Sequence, residues 1–556
     1  MGCRHRGRYH NNPTRVRATE GPLRRGRATV QAGNKLFKPQ SFAYSMPDRI
    51  GVPPIDKRNQ VQLITYVDRC GGGGIGDLHR LLAGPLRGAF GAVHLLPFYD
   101  PIDGADAGFD PSDHTRVDPR LGSWADVRQL TRDVGVMADV IVNHVSDQSP
   151  QFQDYSARGS ASSFDGLFLT RDRVFPGGAS DSQIQAIYRP RPGLPFRDVV
   201  LANGERKTLW TTFTPNQLDI DVEHPTGRAY LKNILTTLAA NGVGMLRLDA
   251  VGYAIKRPGS SCFMLPETFE FIDEFAKEAR ALGIEVLVEV HSYYQRQIEI
   301  AAHVDWVYDF ALPPLVLHAF NFGTSLALKN WIDIRPSNAI TVLDTHDGIG
   351  IIDIGADPRD RDHRPGLVSP QEIAELVERI HERSRGESRK ATGAAASNLD
   401  LYQVNCTFLD ALGGDERRYL LARAIQFFLP GIPQVYYVGL FAGHNDMALL
   451  ARTQVGRDIN RHFYSAAEVH AALTRPVAQD LLALIRLRNT HPAFSGVFRL
   501  LDSSSNSLIL RWEAAAEFAE LQVELDSAHY ELSASSPDGV ARHLFISAPP
   551  QPGFAR

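Results

Sequence analysis

Eight short apolar runs, rich in β-branched residues and mostly ending in polar or acidic ones, most tightly limit what this chain can fold into. They lie at residues 61–66, 92–96, 138–142, 245–249, 285–289, 306–309, 340–343 and 434–438. Stretches with helical spacing separate them. Strands without polar alternation are buried on both faces, as parallel strands covered by helices are. Eight such strands alternating with helices are what a closed (β/α)₈ TIM barrel requires. A doubly wound open sheet is the alternative, but the Gly-rich turn at 71–74 after the first run is not the GxGxxG of a dinucleotide fold.

The spacing of the runs is uneven. About 100 residues separate the third from the fourth, too many for a loop, and they are rich in Pro, Gly, Ser and aromatics. We expect inserted small domains after strands 3 and 7, at residues 143–223 and 349–412. The barrel itself is expected at 58–142, 224–348 and 413–492, followed by a C-terminal β domain at 493–556, where short alternating runs such as 507–512 appear.

Residues 1–57 read as a disordered basic tail. Eight arginines crowd its first 27 residues with Glu20 as the only acid, and no apolar core of a secretory signal is present. Met46 is the alternative start, an organellar transit peptide a further one. In the whole chain of 556 residues, 43% of residues are hydrophobic and the net charge is -4, which argues against nucleic acid or an acidic membrane surface as the main partner. Cys3, Cys70, Cys262 and Cys406 form no CxxC pair, which argues against a zinc site or disulfide framework and for free thiols in the cytoplasm.

The C-terminal ends of barrel strands face one mouth. Asp249 and Glu289 end the fourth and fifth runs, and Asp347 follows the seventh. One carboxylate at a strand end is ordinary capping. Three on separate strands, each beside Arg or His, are costly to bury together and point to chemistry. Glycosyl transfer suits them: one acid protonates the leaving oxygen while a second carboxylate meets the oxocarbenium-like carbon. Arg247, two residues before Asp249 and on the same strand face, can hold it ionised.

Four segments carry a family resemblance: Asp139-Val-Ile-Val-Asn-His144, Arg247-Leu-Asp249, Glu289-Val-His291 and Thr345-His-Asp347. They resemble the four signature regions of the α-amylase superfamily, in the right order. The resemblance implies Asp249 as nucleophile, Glu289 as general acid/base and Asp347 as transition-state stabiliser, with His144, Arg247 and His346 lining the sugar subsite. Further segments, 103–110, 187–196, 249–253, 289–294, 398–405 and 456–462, are similar to the sucrose phosphorylases of that superfamily.

By that similarity Asp106 and Arg457 clamp the distal glucosyl hydroxyls. Tyr188, Arg191, Asp400, Tyr402 and Gln403 line the acceptor side, and Gln217 and His291 join the substrate-binding set. The implied ligands are sucrose, inorganic phosphate, glucose 1-phosphate and fructose, and a homodimer is implied as well. Phe109, Tyr188, Phe196, Phe213 and Tyr253 are expected to wall the pocket. The alternatives on the same barrel are a sucrose hydrolase or transglucosidase, and a phosphorylase of sucrose 6'-phosphate, glucosylglycerol or glucosylglycerate. A barrel that only binds sugar is a more distant one, disfavoured by the retained carboxylates.

No cofactor and no metal are expected. Many α-amylases follow the nucleophile segment with Lys-His, whose His carbonyl helps bind calcium. Gly252-Tyr253 stands there in this chain, and Asn143, the other familiar ligand position, has no evident acidic partners nearby in sequence.

Overall fold

The computed structural model describes residues 60–190, 193–357, 364–392, 403–535 and 541–546. The expected N-terminal tail and three of the expected acceptor-side residues, Arg191, Asp400 and Tyr402, lie outside them.

All eight apolar runs form parallel strands of one closed barrel: β1 (Gln62–Thr65), β2 (Ala92–Leu95), β3 (Gly135–Ile141), β4 (Met245–Asp249), β5 (Glu285–Val288), β6 (Trp306–Asp309), β7 (Ala339–Thr341) and β8 (Ile432–Tyr436). Closure falls at β1, where Leu63 is in register with Val93 of β2 and Val435 of β8. The strands lack polar alternation because both faces are covered: Leu63, Val93, Val140, Leu246, Val286 and Ile340 are all fully buried.

Most strand boundaries differ by one to three residues from the sequence reading, and two of the differences bear on the site. The eighth strand starts two residues earlier than its run and includes Pro433. A proline is tolerated near a strand start, where the missing N–H is least needed. The chain then turns helical at Tyr437–Leu440. The fifth strand ends at Val288, although the Glu289 N–H still donates to the Leu248 carbonyl at 3.3 Å and keeps Glu289 beside β4.

Three of the outer helices, Pro225–Ala240, Pro266–Ala281 and Pro476–Thr490, begin where proline fixes φ at the first turn. In Pro266–Ala281 the spacing of Ile272, Phe275, Ala276 and Ala279 makes one apolar stripe, and all four are buried on the barrel.

The segment after β3 has structure of its own. A hairpin pairs Phe196–Val200 with Arg206–Trp210, and Gln217–Asp219 pairs antiparallel with His144–Ser146. Leu169, Val174, Phe175, Ile187 and Trp210 form a small separate core there, closed by Cys262 from the barrel. Phe196 packs edge-on against Trp210 at 5.0 Å and does not line the pocket, contrary to its expected place in the wall. The strand alternation of its hairpin aims it at this core instead. After β7, Ile349–Gly350 pairs with Gln403–Val404, and the helix Pro370–Arg383 lies between them in sequence.

The C-terminal sheet has five antiparallel strands in chain order: β9 (Val497–Leu501), β10 (Ser507–Ala514), β11 (Glu517–Glu524), β12 (His529–Ser535) and β13 (Ala541–Ile546). Leu508, Leu510 and Trp512 alternate inward on β10, and the Trp512 indole N–H donates to the Phe428 carbonyl at 2.7 Å, tying the sheet to a barrel helix. Cys70, Cys262 and Cys406 are buried and unpaired, while Cys3 lies outside the described residues. Among the described residues, no helix is long and apolar enough to cross a membrane.

Candidate active site

The register of β3 against β4 sets Arg247 beside Asp139. Both are fully buried, and the guanidinium Nη1 lies 2.5 Å from Asp139 Oδ1 and 3.1 Å from Asp249 Oδ1. Its Nη2 lies 2.6 Å from Glu289 Oε1. One planar fork therefore lies between three carboxylates and holds Asp249 and Glu289 side by side. Asp139 is held from below by His94 Nε2 at 3.1 Å.

Three carboxylates facing one guanidinium set the proton balance. Burial, together with Glu289, Asp139 and Asp347, pushes Asp249 well above the usual carboxylate range, against the pull of Arg247. Asp249 therefore gives up its proton less readily than a free carboxyl, with Arg247 as the cation that opposes the shift. An acid that still carries its proton and a carboxylate that does not are the two groups an acetal exchange needs.

Asp347 behaves in the opposite way. Burial would raise it, but the guanidinium groups of Arg457 and Arg461 hold it well below the usual range. Arg457 Nη1 sits 3.0 Å from Asp347 Oδ1 and 3.2 Å from Asp106 Oδ2, so it bridges the two acids. Arg461 lies behind them, 3.6 Å from Asp106 and 3.8 Å from Asp347, and its Nε donates to the His346 carbonyl at 2.9 Å. Asp106 and Ala107 both adopt left-handed backbone angles, φ 51 and φ 57. Such strain in non-glycine residues persists only where the surroundings enforce it, and it aims Asp106 at the two arginines.

His346 is kept neutral, its pKa pushed down to about 3 by burial and by the charges of Arg247 and Arg461. It stacks on Phe109 at 4.8 Å with the rings 8° apart. The His144 Nε2–H donates to the Phe109 carbonyl at 3.1 Å, so the backbone takes that proton.

These groups surround a cavity of about 220 Å³. Of the residues expected from sequence, Asp106, His144, Tyr188, Gln217, Asp249, Glu289, His291, His346, Asp347, Gln403 and Arg457 line it, and Arg247 lies beneath. Phe109, Phe213 and Tyr253 also line it as expected, and Phe263, which was not expected, packs against Tyr253 at 4.7 Å. Gln403 Oε1 accepts from the Gly348 N–H at 3.3 Å. Sequence reasoning also missed Arg461 and Asp353. Arg461 follows Arg457 by four in an otherwise polar turn, a faint signal; Asp353 had none.

A lysine links Asn143 to an acid of the inserted segment. Lys256 Nζ lies 2.8 Å from Asn143 Oδ1 and 2.5 Å from Asp219 Oδ2, and its side chain is 2% exposed. The acceptors that calcium would use there already hold an internal ammonium, so the residues do not fit the metal. We expect chelators to leave the melting temperature unchanged, and Lys256→Met to cost about 3 kcal/mol in denaturant unfolding, because Asp219 would remain buried beside an empty place. A large loss of stability on chelation would contradict this assignment.

Residues 88–315 match the family described as Alpha amylase, catalytic domain. The chain is 59% identical to a sucrose phosphorylase of Agrobacterium vitis over 86% of its own length and 97% of the relative's. It is 52% identical to a sucrose phosphorylase of Bifidobacterium adolescentis over 84% and 92%. Among solved structures, the sucrose 6F-phosphate phosphorylase from Thermoanaerobacter thermosaccharolyticum superposes with a TM-score of 0.81 at 35% identity, covering 88% of this chain and 98% of that one. With its four barrel motifs gathered at one mouth and this identity over nearly the whole of its relatives, the chain belongs to the sucrose phosphorylase family of α-amylase-type barrel enzymes.

Proposed function

We propose that the chain phosphorolyses sucrose reversibly to α-glucose 1-phosphate and fructose, by a double displacement with retention. The observation that carries this is Arg247 holding Asp249 and Glu289 across a single guanidinium. Asp249 attacks the anomeric carbon while Glu289 gives its proton to the departing fructose oxygen. Asp347, kept ionised by Arg457 and Arg461, meets the positive charge that builds on the sugar ring. Phosphate then attacks the β-glucosyl-enzyme, and Glu289, now ionised, takes up a proton from it. Asp106 and Arg457 bind distal hydroxyls of the glucosyl unit. The acceptor side is assigned to Tyr188, His291 and Gln403, with Arg191, Asp400 and Tyr402 from segments outside the described residues.

The aromatic wall of Phe109, Phe213, Tyr253 and Phe263 supports transfer over hydrolysis, since apolar rings keep stray water from the intermediate. The test is product analysis with sucrose, with and without phosphate. Glucose 1-phosphate of α configuration should form only when phosphate is present, and glucose should be a minor product. Glucose release at full rate without phosphate would make the enzyme a hydrolase.

A further inference from the structure

His291 has a built partner that the proposed chemistry leaves unused. Its Nδ1 lies 2.9 Å from Asp353 Oδ2, and Asp353 is fully buried. The other Asp353 oxygen accepts from the Ser292 N–H at 3.1 Å and from Gln297 Nε2 at 2.9 Å. Burial raises the pKa of Asp353, but the Ser292 N–H and the Gln297 amide both donate to it, which suits a carboxylate that accepts the His291 Nδ1 proton as well. The contact is tight against backbone: a Cβ built on Gly350 would stand 2.2 Å from Asp353 Oδ2 and 2.9 Å from His291 Nδ1. Only glycine permits this approach.

The far nitrogen of the same ring, Nε2, is buried without a partner among the described residues, while the ring lines the cavity. One ring nitrogen lies within 4.8 Å of carboxylate oxygens of both Glu289 and Asp347. Phe310 stacks on the ring at 3.8 Å and fixes its plane. Asp353 comes from the turn that follows Ile349–Gly350, the strand paired with Gln403–Val404. The segment that brings Gln403 to the acceptor side thus also brings the buried carboxylate.

We propose that Asp353 is a positioning residue for the acceptor half of the reaction: it fixes the His291 tautomer and supports an imidazolium whose Nε2–H meets a phosphate oxygen. The inference rests on the phosphorolysis reading above. The charged groups facing the ring are Asp353 from the inserted segment, Glu289 from its own segment and Asp347 from the segment after β7. Burial opposes the charged form, but these three acids together raise the pKa of His291 above its ordinary value. An imidazolium kept to higher pH gives a charge-assisted bond to the anion, and the bond is lost as pH rises through that raised pKa.

Asp353→Asn keeps the size but turns an amide NH₂ or a neutral oxygen toward Nδ1, so the charged ring loses its support. The experiment measures phosphate KM against pH, and phosphorolysis against phosphate-independent hydrolysis of sucrose, in wild type, D353N, H291Q and the double variant. In D353N phosphate KM should rise about tenfold, phosphorolysis should fall more than hydrolysis, and the ionisation should leave the KM profile. H291Q should behave alike, and the double variant no worse than H291Q alone. If D353N does not fold, H291Q still decides: a KM profile matching wild type would overturn the proposal. Additive losses in the double variant would overturn it too. Wild-type enzyme that makes no glucose 1-phosphate would overturn the functional reading together with this one. Wild-type phosphorolysis with an unchanged phosphate KM in D353N would overturn this one alone.

Discussion

Asp249→Asn is expected to lower turnover of sucrose by roughly 10⁴-fold or more while the protein becomes slightly more stable. The two effects have one physical origin. Asp249 stands partly buried in a group of four acids, Asp139, Glu289 and Asp347 being the others, and loss of water together with these neighbours pushes its pKa up. An acid whose pKa is raised on folding favours the folded state below its unfolded pKa and loses that contribution as pH rises through the folded one. At neutral pH the ionised form is therefore a strain on the fold, offset in part by Arg247 at 3.1 Å. A neutral amide of the same shape relieves the repulsion and leaves Arg247 its contacts to Asp139 and Glu289. Steady-state phosphorolysis and denaturant unfolding measure the two sides. Turnover near the wild-type level would refute Asp249 as the nucleophile, and a large loss of stability would refute the account of the cluster.

Arg247→Met should do the reverse to stability. The guanidinium is 1% exposed and holds Asp139, Asp249 and Glu289 at once. Removing it leaves one fully buried and two partly buried acids with no cation between them, and breaking a buried pair from one side costs about 3–5 kcal/mol. Activity should also vanish, since Asp249 and Glu289 lose both their spacing and their proton balance. The distinguishing measurement is the pH dependence of unfolding. The variant should recover stability as pH falls and the stranded acids take up protons, whereas a simple packing loss would be insensitive to pH. Wild-type stability near neutral pH would show that the three acids do not depend on Arg247.

Much of the barrel was legible because its strands are covered on both faces. Such strands must be apolar along their whole length, so the run itself marks the strand, and the polar residue that ends it marks the mouth. Val140, Leu246 and Val286 are each fully buried, and Asp249 and Glu289 stand where those apolar runs stop. Strand ends were less legible. Pro433 reads as a breaker by its own chemistry, yet it pairs with Thr341 near the start of β8. Phe196 illustrates the same limit for side chains: an aromatic next to the pocket residues in sequence is turned by strand alternation onto Trp210.

Residue type and order by themselves determined the eight-stranded barrel and the three carboxylates, because local periodicity and strand-end chemistry are properties of short segments. Tertiary structure decided what those carboxylates are bonded to. Arg247 meets Asp139 through strand register, Arg457 and Arg461 reach Asp106 and Asp347 across the mouth, and Lys256 joins Asn143 to Asp219 of the inserted segment. Asp353 reaches His291 in the same way. Contacts between residues far apart in sequence depend on how loops return to the barrel, and no short segment encodes that return; the charge state of the site follows from those contacts and so was readable only in the folded chain.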